Sequence, residues 1–157
     1  MFRDVTTLFK DAEALREVVD RTYELYRDKG ITKVVGVESR GFVVGAALAV
    51  RLGVGFVLAR KPGKLPAPSF VESYYKEYGK DTVEIHQDAL DPDDVVLIHD
   101  DLLATGGTVA AVERLVRRFG VKDVYMNFII ELEGLGGRAK LPENVEVTTL
   151  LNLPDHV

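Results

Sequence analysis

"VVLIHDDLLATGGTVAAVERL", Val95 to Leu115, compresses a strand, a turn and a helix into 21 residues. Val95 to Ile98 is an unbroken apolar run, the pattern of a strand buried on both faces of a parallel sheet. Two aspartates follow His99, then a Thr-Gly-Gly-Thr turn. From about Thr108 to Phe119 apolar residues recur at helical spacing, and Gly120 marks the stop. The same alternation extends in both directions. "KVVGV" (Lys33–Val37) and "GFVLA" (Gly55–Ala59) are short buried strands. Between them lies the Ala-rich helix "GFVVGAALAVRLG", closed by Gly53. Asp11 caps a helix that runs to about Lys29, with Gly30 as its stop. Asp123 to Ile130 and "VEVTTLLNL" supply the last strands. Strand–helix–strand alternation with right-handed crossovers predicts an α/β fold: a doubly wound, mainly parallel five-stranded sheet with helices on both faces.

One region breaks this rhythm. Residues 60–88 combine prolines, glycines, basic residues and the tyrosines Tyr74, Tyr75 and Tyr78, and end in the alternating "DTVEIH". A flexible inserted hairpin fits, because long connections in compact domains are usually functional covers. The whole chain, 1–157, reads as a single domain carrying this insertion.

Composition narrows the function. With 157 residues and 46% hydrophobic content the chain can bury a real core. No apolar run approaches the ~20 residues of a membrane span, and the start of the chain lacks the apolar core of a secretory signal. The expectation is a cytoplasmic protein with no membrane partner. A net charge of −5 argues against a nucleic-acid partner. The absence of cysteine removes disulfides, thiolate metal sites and thiol nucleophiles. The local basic cluster "ARKPGKLP" (Ala59–Pro66) suits an anionic small molecule.

The opening stretch then gains a chemical reading. In open α/β sheets ligands bind beyond the carboxyl ends of the strands. There Asp100 and Asp101 can accept hydrogen bonds from two neighbouring ribose hydroxyls, provided that a turn brings both toward one ligand. They can also hold Mg²⁺, directly or through water. Ala104, Thr105, Gly106, Gly107 and Thr108 open a helix, where converging N–H groups and the helix dipole favour a phosphate monoester. Together they match one ribose 5-phosphate. Neither a GxGxxG fingerprint nor a P-loop is present. His99 lacks a nucleophile to serve and reads as a packed structural residue, while His86 and His156 read as surface residues.

These residues resemble a known family. "VVLIHDDLLATGGT" resembles the phosphoribosyl-pyrophosphate motif of type I phosphoribosyltransferases. "GVESRGFVVGAALAVRLGVGFVLARKPGKLP", "YGKDTVEIHQDAL" and "IIELEGLGGRAKL" are similar to its adenine-specific branch, from Phe2 to about Leu141. Upstream of Phe2 the family carries a further segment with a proline-glycine turn.

The resemblance implies transfer of ribose 5-phosphate from phosphoribosyl pyrophosphate to N9 of adenine, giving AMP and pyrophosphate. It also implies Mg²⁺ dependence, a homodimer and a purine-salvage role. Asp100 and Asp101 would contact the ribose hydroxyls and organise the metal shell. Glu38, Ser39 and Arg40, next to a cis peptide bond, would bind pyrophosphate with Arg60, Lys64 and Tyr78. Glu77, partly desolvated under the hood, would handle the purine proton. Phe2, Arg3 and Leu132 would line the adenine pocket. Two alternatives stay open: an enzyme for another purine such as hypoxanthine or xanthine, and a non-catalytic regulator of the same fold.

Overall fold

The computed structural model describes residues 5–154. A short helix α1 (Thr6–Phe9) leads into α2 (Ala12–Tyr26), whose N-terminus is capped by the Asp11 carboxylate accepting from the N–H groups of Glu13 and Ala14. Then follow β1 (Lys33–Val37), α3 (Gly41–Leu52) and β2 (Gly55–Ala59). A hairpin of β3 (Ser69–Lys76) and β4 (Gly79–His86) precedes β5 (Val95–Leu103), α4 (Gly107–Arg117), β6 (Asp123–Leu132) and β7 (Glu146–Leu153).

The five-stranded sheet has the order β2-β1-β5-β6-β7, with every pairing parallel. β5 is central, and its apolar start Val95–Ile98 suits a strand covered on both faces. One face is packed by α2 and α3, with Tyr26, Leu48 and Leu97 buried between the layers. The other is packed by α4 and by the β3–β4 hairpin, through Tyr74, Val83, Ile85 and Leu115. The predicted doubly wound sheet is therefore present. Among the described residues no helix is long and apolar enough to cross a membrane.

Several boundaries differ from the sequence expectation. α2 stops at Tyr26 rather than Lys29, and α4 spans Gly107–Arg117 rather than Thr108–Phe119. α1 has too few residues to show a period and was not foreseen. β5 runs on through both aspartates to Leu103; pairing with β6, which continues to Leu132, extends it past the last apolar position. The 60–88 insertion is a hairpin, but its stem is not a loose cover. Tyr74, Val83 and Ile85 belong to the core, and the Phe70 ring meets Phe119 edge-on at 5.2 Å. An isolated bridge between Arg60 and Glu84 ties it to the end of β2. His86 is half-buried rather than on the surface, and His156 lies outside the described residues.

Candidate ribose-phosphate site

The site forms at the carboxyl end of β5. Asp100 and Asp101 are consecutive strand residues, yet both carboxylates reach the start of α3, Asp100 Oδ1 beside Gly41 and Asp101 Oδ2 on Arg40, and the two side chains interact. They are also coupled through the backbone, the Asp101 N–H donating to Asp100 Oδ1 at 2.8 Å. Asp101 is buried at 3% exposure, and its Oδ2 lies 2.9 Å from Arg40 Nε. Burial, together with the neighbouring Asp101 carboxylate, pushes Asp100 well above the usual carboxylate range, against the pull of Arg40. The Asp101 carboxylate is met by the Arg40 guanidinium within the rim, while burial favours the neutral form of Asp100.

Close backbone packing holds the acids in place. Gly41, the first residue of α3, lies so near that a Cβ there would be 2.9 Å from the His99 carbonyl oxygen and 3.0 Å from Asp100 Oδ1. The preceding Glu38–Ser39 peptide bond is cis, as the resemblance implied. Burial opposes ionisation of Glu38, but the Lys61 N–H and the Arg60 guanidinium, with Lys64 nearby, hold its carboxyl below the ordinary value. The ESR turn and the basic loop, separate in sequence, thus form one wall.

Ala104 to Thr108 bend sharply onto α4. Gly106 has φ +85, and a Cβ there would meet the Gly137 carbonyl oxygen at 2.6 Å. A Cβ on Gly137 would in turn overlap the Ala104 carbonyl oxygen. The two glycine-rich turns therefore interlock, and this loop lines a cleft with Asp100, Leu102 and Val109.

On its other side Thr105, Gly107 and Thr108 share a second cleft with Tyr74, Glu77, Tyr78 and Lys140. The hairpin tip and the phosphate loop are thus brought together as expected. Glu77, however, is exposed rather than partly desolvated, and Tyr78 is 95% exposed, because the tip stands clear of the packed stem.

Sequence reasoning missed two contributors. Tyr74 accepts from Thr108 Oγ1 at 3.1 Å and donates to Asp81 at 3.3 Å. Lys76 and Lys61 also pair with Asp81, at 2.8 and 3.3 Å, and with the Thr82 N–H they hold it far below its ordinary value. Lys140 arrives through the Gly136–Gly137 turn, and its only signal was the glycine pair before "RAKL".

Phe2 and Arg3 lie outside the described residues. Leu132, the last residue of β6, is 4% exposed and paired in register with Leu153.

Among the described residues no group of three or more His, Cys, Asp or Glu side chains could hold a metal by itself. The acid pair does fit Mg²⁺ held through water: it offers hard oxygen donors, and Asp100 lines the cleft beside the 104–108 turn.

A parallel sheet ending in an acid pair, beside an amide-lined turn and beneath a hairpin, defines a protein that grips phosphorylated sugars. Residues 4–141 match the family described as the phosphoribosyl transferase domain. The adenine phosphoribosyltransferase of Phocaeicola vulgatus is 65% identical over 153 residues, 98% of this chain and 88% of that protein. The crystal structure of the adenine phosphoribosyltransferase from Rhodothermus marinus is 51% identical, with a TM-score of 0.93 over 98% of this chain and 87% of that one. The Saccharomyces cerevisiae enzyme, complexed with an imino-altritol bisphosphate and adenine, is 42% identical, with a TM-score of 0.88 over 96% and 86% of the two chains. The chain belongs to the phosphoribosyltransferase family.

Proposed function

We propose that this chain transfers the 5-phosphoribosyl group from phosphoribosyl pyrophosphate to N9 of adenine, forming AMP and pyrophosphate in purine salvage. The observation that carries the reading is the convergence on one sheet edge of an acid pair, an amide-lined phosphate turn and a hairpin tip bearing Glu77.

In this reading Ala104 to Thr108 hold the 5-phosphate, and Asp100 with Asp101 accept from the ribose 2- and 3-hydroxyls. The bond from the anomeric carbon to pyrophosphate breaks as the bond to N9 forms, through an oxocarbenium-like state. Arg40, Arg60 and Lys64, with the N–H groups of the 38–40 turn, take up the charge of departing pyrophosphate, the kind of stabilisation that is usually the largest single contribution. Glu77 and Tyr78 swing over the reactants, where water exclusion prevents hydrolysis and the Glu77 carboxylate moves the purine proton. Mg²⁺, bound through water at the acid pair, would add positive charge at the pyrophosphate and ribose oxygens. By the family resemblance, Phe2, Arg3 and Leu132 would line the adenine pocket.

The single domain, hood 60–88 included, acts as a homodimer; the exposed apolar residues Val43 and Val50 on α3 and Leu58 on β2 support a covered face there. Multiply charged sugar phosphates do not cross bilayers unaided, so the enzyme works where its substrate is made, taken here as the cytoplasm.

The test is a steady-state assay with phosphoribosyl pyrophosphate, Mg²⁺ and adenine, guanine, hypoxanthine or xanthine. AMP formation confined to adenine is expected. Turnover of another base would reassign the substrate, and tight binding without product would make the protein a regulator.

A further inference from the structure

His99 is fully buried, one residue before the acid pair. It belongs to a polar row that crosses the sheet at a single level. By register His99 of β5 sits opposite Asn127 of β6, and Asn127 sits opposite Thr148 of β7. The hydrogen bonds along this row run in one direction. Tyr26 donates to the Met126 carbonyl at 3.1 Å, so the Thr148 hydroxyl, 2.6 Å away, donates to Tyr26. Thr148 accepts from Asn127 Nδ2 at 2.9 Å, which leaves Asn127 Oδ1 to accept from His99 Nδ1, also at 2.9 Å. The proton of the neutral imidazole is thereby assigned to Nδ1, and Nε2 is a bare lone pair.

That lone pair is buried and unpartnered, and Asp101 Oδ2 is equally enclosed, with Arg40 Nε 2.9 Å away as its ion-pair partner. The two residues are neighbours on one face of β5, two positions apart, a Cα spacing of about 6.6 Å. Asp101 is close enough for its charge to act on the imidazole. An enclosed acceptor with no donor beside it is typically served by a buried water, and the second hydrogen of such a water can be given to a neighbouring carboxylate.

We propose that His99 is a positioning residue: its Nε2 and Asp101 Oδ2 share one buried water, and this link holds the Asp101 carboxylate toward Arg40 and the ribose end of the site. The inference rests on the preceding reading of Asp101 as a ribose-binding acid. It assigns the polar row a purpose beyond packing, since the row fixes the tautomer that makes Nε2 an acceptor.

Two substitutions separate the contacts of the ring. His99→Asn places an amide N–H near the Nδ1 position and keeps the bond to Asn127, but has nothing at Nε2. His99→Gln reaches the Nε2 position with its carbonyl oxygen. Expected is a loss of about 10-fold or more in kcat for His99→Asn at near-native melting temperature, with a smaller loss for His99→Gln. Native kcat in His99→Asn overturns the proposal.

Side-chain ¹⁵N spectra of the unsubstituted protein give a second measurement that does not depend on how the variants fold. They should show a protonated Nδ1 and an Nε2 shifted by hydrogen bonding; a protonated Nε2, or a free lone pair, also overturns it. Absence of AMP formation by the unsubstituted enzyme would defeat the preceding reading, whereas normal turnover with a free Nε2 defeats only this one.

Discussion

The two walls of the site are secured in opposite ways. The rim built from β5, α3 and the phosphate turn is locked by backbone meeting backbone, at Gly41 against His99 and at Gly106 against Gly137. Its Asp101 carboxylate is enclosed. The hood has a packed stem but an open tip, tied down by contacts that water reaches. Arg114 pairs with Glu72 at 3.2 Å, and Lys76 and Lys61 share Asp81. Exposed ion pairs are worth about 0–1 kcal/mol each, whereas interlocked glycines leave no room for adjustment. Under the proposed function the difference matches two tasks: sugar and phosphate need a preformed cradle, while the reacting centre needs a cover that opens for exchange.

That contrast can be broken at either wall. The largest effect is expected for Asp101→Asn, with a loss of about 10²–10³-fold in turnover and a much smaller change in melting temperature; equal loss of folding would make Asp101 structural. Glu77→Gln on the hood should cost about 100-fold in turnover. It should leave the melting temperature unchanged, because Glu77 is exposed. A drop in thermal stability would show that the tip is packed after all.

Away from the site, against Met126 of β6 and Thr148 of β7, lies a buried tyrosine. Burial pushes the Tyr26 hydroxyl up to about 12, from about 10 in the unfolded chain. Because the folded value is raised, the neutral form stabilises the fold fully below pH 10, and this contribution fades as pH rises from 10 to 12. Urea titrations across that window should lose about 2–3 kcal/mol, and Tyr26→Phe should flatten the slope.

Gly137→Ala forces a methyl onto the Ala104 carbonyl and should cost about 1–3 kcal/mol. It should also raise KM for phosphoribosyl pyrophosphate, because the phosphate turn must move to admit it. The smallest effect belongs to the hood tether: Arg114→Ala should change stability by less than about 1 kcal/mol. A larger loss in calorimetry would place that wall in the same rigid class as the rim.

Much of this molecule was legible without coordinates. Apolar periodicity located β1, α3, β2, β5 and β6. Capping chemistry named Asp11 and Gly53, and the Asp-Asp and Gly-Gly pairs pointed to the correct sheet edge. Other features depend on neighbours remote in sequence. β5 reads as ending at His99 because aspartates are poor strand residues, yet pairing with β6 carries it to Leu103. Tyr74 reads as part of a loose aromatic cluster, but only the placement of α4 shows that its ring is core and its hydroxyl reaches Thr108. Lys140 joins the cleft through the fit of two glycine turns 31 positions apart at Gly106 and Gly137.

Local chemistry, written in residue order, was enough to specify the elements, their alternation and the kind of ligand the central turn accepts, because period, caps and glycine freedom act over a few residues. Which polar groups share a row, which carboxylate is enclosed and where the hood meets the phosphate turn were settled by folding alone. Strand register and helix docking bring together side chains as far apart as Tyr26 and Thr148, and the cost of burying a polar atom depends on what stands opposite it.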